Sequence, residues 1–144
     1  MKKLDKLQLI KRGNIFKHCL LTVIVLLLLY ALLLQFEISL LQHQIALILI
    51  IIFTISQFCV EMILCDIYPL TEKRQRFLYY LLGVVGLFII VVASYDLVAG
   101  RADIIGDKML TNTGAVLIMG CFFLVVFLTY TVKRIYNKKR EDVS

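Results

Sequence analysis

The residues best suited to chemistry lie in one apolar stretch, Ile45–Cys65, where Thr54, Gln57 and Glu61 stand at i, i+3 and i+7. A helix puts all three on one face. The stretch is 21 residues long and Glu61 is its one charge. At about 1.5 Å rise per residue it is just long enough to cross a bilayer core of roughly 30 Å. Burial disfavours the charged form of a carboxyl group, and intramembrane acids mark ion paths, proton relays or hydrogen-bond hubs. Glu61 is therefore the candidate titrating group. Its plainer alternatives are a structural hub that ties helices together, or a Glu that reaches to the interface with Lys133 or Arg134.

Counting depth along the other apolar runs predicts which side chains can meet Glu61. They are Thr22, with His18 one turn nearer the interface, then Tyr79 and Tyr80, then Thr129 and Tyr130. The other intramembrane acid, Asp96, belongs elsewhere. Glu61 sits roughly 9 Å to one side of the midplane and Asp96 roughly 12 Å to the other, so a shared carboxylate pair is not expected. Asp96, Asp103 and Asp107 instead form a candidate acidic surface at the outer end, with Arg101 near enough to pair with Asp96.

No calcium-loop spacing accompanies these acids. Cys19, Cys59, Cys65 and Cys121 lie in or at the edges of apolar runs, with no C-x-x-C spacing, and read as packing residues. His18 and His43 are predicted on opposite sides of the membrane, which argues against a bis-histidine haem. Nucleophilic-serine, P-loop and HExxH motifs are absent. The expectation is no catalytic, cofactor or metal site, and no enzyme.

The elements that must position Glu61 are membrane helices. The 144-residue chain is 61% hydrophobic with a mean hydropathy of +0.91, against the roughly 45–50% usual in soluble domains. Four spans are predicted, at about 18–36, 45–65, 77–99 and 112–132. Residues 1–17 are basic, with Leu4, Leu7 and Ile10 forming a narrow stripe among Lys3, Lys6, Lys11 and Arg12. That pattern suits either a short helix on the membrane surface, ended by Gly13-Asn14, or a loose basic tail. In the second link, Pro69 forbids helix continuation and Thr71 is placed to cap the third span. Thr111 or Thr113 can cap the fourth. Gly83, Gly86 and Ala93 on the third span, and Gly114, Ala115, Gly120 and Cys121 on the fourth, mark a face where backbones can approach closely. Residues 133–144 form a basic tail.

The reading is an all-α integral membrane protein, a four-helix transmembrane bundle in the cell membrane. Fourteen of the 16 Lys and Arg residues fall in the N-terminal segment, the second link and the C-terminal tail. The positive-inside rule then puts both termini in the cytoplasm. The net charge of +6 suits anionic head groups at that face rather than nucleic acid, since no recognition motif accompanies it. Expected partners are the bilayer, another membrane protein, or a second copy of the chain. Two functional classes fit: a non-enzymatic membrane partner, or a small transporter or ion-conducting oligomer that titrates Glu61. The charge bias makes a direct prediction. With single cysteines in a cysteine-free background, Asp103→Cys and Ser39→Cys react with an impermeant maleimide on intact cells and Ser144→Cys does not. The opposite pattern contradicts the four-span topology.

Overall fold

A computed structural model describes residues 6–36, 42–65, 67, 73–106 and 109–141. Its helices are α1 (Lys6–Gln35), α2 (His43–Leu64), α3 (Lys73–Val98) and α4 (Asn112–Glu141). All four are long and apolar enough to cross a membrane. Between α3 and α4, β1 (Ile105–Gly106) pairs antiparallel with β2 (Met109–Leu110). No alternation of apolar and polar residues announces this two-residue ladder. The cap at the start of α4 makes it by drawing the chain back on itself.

At 30 residues each, α1 and α4 are about 45 Å long and exceed a bilayer core by roughly 15 Å. The excess is basic in both: Lys6, Lys11 and Arg12 on α1, Lys138 and Lys139 on α4. The break expected at Gly13-Asn14 is not there, because α1 runs through both residues without interruption. A glycine costs a helix only about 1 kcal/mol relative to alanine, too little to end one that a long apolar run propagates. The cap expected at Thr71, and Pro69 before it, lie outside the described residues.

The ends of α3 and α4 follow from local chemistry. Gly100 has φ +65, the Arg101 N–H donates to Asp96 O and the Gly100 N–H donates to Leu97 O. That is the Schellman arrangement, which satisfies two terminal carbonyls and needs a left-handed residue at Gly100. At the start of α4 the Gly114 N–H donates to Thr111 Oγ1 at 3.2 Å, so Thr111 is the N-cap. The Thr111 N–H also donates to Ile104 O at 3.1 Å, and its hydroxyl lies against the carbonyls of Asp103 and Ile104. One threonine thereby starts the helix and closes the hairpin.

The helices form an open row, with α1 on α2, α2 on α4 and α4 on α3. The α3–α4 contact is the most extensive, and glycine makes it so. A Cβ on Gly86 would stand 3.1 Å from Gly120 O, and one on Gly83 would stand 2.6 Å from the Phe127 ring. Ala93 and Ala115 are buried, as the small-residue face requires, whereas Cys121 points out of it. The α2–α4 contact adds an edge-on pair, Phe53 and Phe122, with centroids 5.4 Å apart. On α1 the buried residues are only Ile15 and Cys19.

Both core clusters lie at the end where α1 begins and α4 finishes, the basic end. One gathers Ile15, Cys19, Met62 and Ile67, with Phe58 and Cys65 against it. The other gathers Ile63, Val126 and Tyr130, with Cys59, Val60, Tyr79 and Leu82 around it. Gly86→Val places methyl groups against backbone atoms of α4 that have no rotamer to escape to. It is expected to lower stability by about 1–3 kcal/mol, whereas Gly13→Ala, with no atom within 4 Å of the new Cβ, leaves it unchanged or slightly raised. Thermal unfolding in detergent reads both.

Candidate functional site

Glu61 occupies the last turn of α2, one residue before Met62 enters the first cluster. Its position facing α1 follows from that packing, since Phe58 and Met62 bracket it on the same side. The Gln57 Nε2 group donates to Glu61 Oε1 at 2.9 Å, the i, i+4 contact expected of one helical face. The other carboxylate oxygen, Oε2, stands 3.7 Å from His18 Nδ1 on α1. That separation is an ion pair when the imidazole is protonated, and longer than a direct hydrogen bond. The Glu61 side chain is 25% exposed and that of His18 70% exposed. The seam therefore opens to one side rather than lying inside a closed bundle. Gln57 Oε1 is buried and accepts no bond among the described residues.

Around this seam the packing is aromatic and apolar. Phe16 and Phe58 meet with centroids 5.0 Å apart, and the Arg12 guanidinium lies over the Phe16 ring at 6.0 Å. Cys19 is buried beside Met62. The far end of the same helix pair is held by Tyr30 and His43, whose hydroxyl and Nδ1 are 2.7 Å apart. Tyr30 lies five residues inside the end of α1 and His43 opens α2, so the contact bridges the link between the two helices. Depth counting around Glu61 passed over it.

Of the residues expected around Glu61, the structure brings together His18, Gln57 and Glu61. The threonines are occupied within their own helices. Thr22 donates to His18 O at 3.0 Å, Thr54 to Ile50 O at 2.8 Å and Thr129 to Val125 O at 2.8 Å. Such back-bonding is the local option open to any helical threonine, and it removes the hydroxyl proton from the seam.

The tyrosines assemble on the other side of α2. Tyr79 and Tyr130 stack at 4.6 Å, and Tyr80 meets Tyr130 edge-on at 6.0 Å. Arg134 Nη1 donates to the Tyr80 hydroxyl at 2.7 Å, one turn beyond Tyr130 on α4. These residues share the depth of Glu61 but not its side of the helix. Lys133, one of the two basic residues the sequence offers to Glu61 at the interface, donates through Nζ to Leu64 O at 3.2 Å. It caps a carbonyl at the C-terminus of α2, where a cation also opposes the helix dipole.

At the opposite end Asp96 contributes its backbone carbonyl to the α3 cap, and Arg101 turns away from it. The guanidinium lies 5.6 Å from the Tyr95 ring centroid. Asp103 is exposed, and Asp107 lies outside the described residues. Among the described residues no group of three or more His, Cys, Asp or Glu is placed to hold a metal ion. All four cysteines are free.

Comparison with protein-family models, curated proteins and solved structures returned no match. The described residues define a class: four long apolar helices, with one two-residue ladder between the last two, in the architecture of a multi-pass membrane protein. Within it, the His18–Glu61 contact is a partly exposed pair, a kind typically worth no more than about 1 kcal/mol. A double-mutant cycle of His18→Ala and Glu61→Gln, read by unfolding in detergent, is expected to give a coupling energy below about 1 kcal/mol. A coupling of several kcal/mol would mean that the pair, rather than the apolar cluster beside it, holds α1 in place.

Proposed function

We propose that the protein is a non-enzymatic partner in the cell membrane. It acts as an accessory or regulatory subunit of a larger membrane complex, or as an immunity-type protein guarding against a membrane-acting toxin. The observation that carries this reading is the open row of helices. Its flank α1 is 30 residues long and buries only Ile15 and Cys19. In a bilayer such a face meets either lipid or another helix, and packing with hydrogen bonding decides between them. The links between helices are short, so what the chain offers a partner is helix surface. Both termini are assigned to the cytoplasm, in keeping with the basic ends of α1 and α4 lying together at one end of the row.

A small transporter or ion-conducting oligomer is the second reading. It is favoured by the His18–Glu61–Gln57 seam, which combines two titratable groups with a buried amide oxygen that accepts no bond among the described residues. Reconstitution separates the two. Liposomes containing the purified protein and a trapped pH dye are expected to show no more proton flux than empty ones. Glu61→Gln is expected to leave both flux and fold unchanged, and the protein extracted in native nanodiscs is expected to carry a second membrane protein in fixed stoichiometry. A homo-oligomer with proton flux that Glu61→Gln abolishes would overturn the partner reading in favour of transport.

A further inference from the structure

His18 Nδ1 and Glu61 Oε2 face each other across the α1–α2 seam at 3.7 Å, too far for a direct hydrogen bond. A water bonded to both at about 2.8 Å would hold them at an angle of only about 80°, well short of tetrahedral. A metal ion fits the gap better. Bound to an imidazole nitrogen and a carboxylate oxygen at about 2.0–2.1 Å each, it sets two tetrahedral ligands about 3.4 Å apart. The two atoms have only a few tenths of an ångström to close, and the imidazole, being largely exposed, is free to turn.

The carboxylate is already oriented for such a ligand. Gln57 Nε2 holds Oε1 at 2.9 Å, which leaves Oε2, the oxygen facing His18, for the ion. A hydrogen bond to the second oxygen is how ligating carboxylates are commonly fixed. Cys19 follows His18 in sequence but is buried in the apolar cluster with Met62. It is not a third ligand, since no group of three His, Cys, Asp or Glu among the described residues is placed for a metal. The open side of the seam gives water access to the remaining positions.

We propose that His18 Nδ1 and Glu61 Oε2 bind one late first-row divalent ion, of which zinc(II) is representative, with water completing its coordination. One imidazole with one carboxylate suits zinc and its neighbours, whereas magnesium and calcium take oxygen ligands. His18 binds as the neutral ring, with its proton on Nε2. The two ligands come from different helices, so the ion joins α1 to α2 where α1 buries only Ile15 and Cys19. The site depends neither on a protein partner nor on transport.

The test uses the untagged full-length protein in detergent. Zinc(II) is expected to bind one per chain, to raise the thermal unfolding temperature, and to be displaced by cobalt(II) but not by magnesium. His18→Ala and Glu61→Gln are each expected to weaken binding by more than about ten-fold, since even an outer partner of a ligand is worth that much. Each variant keeps all four free cysteines, so loss of binding in both assigns the ion to the seam. Cobalt(II) bound to the unsubstituted protein gives a second reading that needs no variant to fold. Nitrogen and oxygen ligands are expected to leave its spectrum without a thiolate-to-metal charge-transfer band. A thiolate band, binding that survives either substitution, or no saturable binding overturns the proposal.

Discussion

The last turn of α2 is where the molecule is joined. Met62 and Ile63 are consecutive, so their side chains leave the helix about 100° apart. Met62 enters the cluster with Ile15 and Cys19 of α1, and Ile63 enters the cluster with Val126 and Tyr130 of α4. Both residues are almost wholly buried, while most of the large apolar side chains around them are exposed. In a membrane that exposure carries no hydrophobic penalty, and helix order is left to the few places where side chains interlock. The row α1–α2–α4–α3 thus depends on one turn with a partner on each side.

The polar groups near that turn compensate for its position rather than create it. A helix C-terminus carries partial negative charge, and Glu61 in the last turn adds to it. Lys133 from α4 meets the Leu64 carbonyl on one side, and His18 from α1 approaches the Glu61 carboxylate on the other. Arg134 is drawn to the hydroxyl of Tyr80 on α3. Each neighbouring helix therefore brings a basic group to the end where α2 terminates and α4 emerges. Polar contacts of this kind give register more than energy, and the apolar clusters between them supply the holding force.

Much of this was legible in the sequence, for physical reasons. Four apolar runs of spanning length are unmistakable, and a threonine ahead of Asn112 reads as a cap because its hydroxyl has a helix N-terminus to serve. Gly83, Gly86 and Gly120 pointed to the close α3–α4 approach, since only a missing Cβ lets Gly86 reach Gly120 O. Depth counting placed Thr22 level with Glu61 and His18 one turn nearer the interface, and it is His18 that approaches the carboxylate while Thr22 bonds back to its own helix. Depth could not say which way a helix is turned, and so grouped Glu61 with Tyr79, Tyr80 and Tyr130, which lie on the far side of α2. Azimuth depends on which helices are neighbours, and neighbour order is a property of all four packed together. The continuity of α1 through Gly13-Asn14 was hidden because local breaking signals are weak beside a long cooperative helix. The ladder at Ile105–Leu110 has no pattern of its own and exists through the Thr111 cap.

The central claim is that α2 holds α1 through Met62 and α4 through Ile63 as two separate attachments. Cys19, buried in the first cluster, is a native reporter of it. In a protein whose only cysteine is Cys19, the rate of maleimide labelling in detergent measures how often α1 lifts from α2. Met62→Ala is predicted to raise that rate several-fold, and Ile63→Ala to leave it within about two-fold of the parent, since local openings in distinct units proceed independently. If Ile63→Ala accelerates Cys19 labelling as much as Met62→Ala, the two clusters are one cooperative core and the account of a joined open row is wrong.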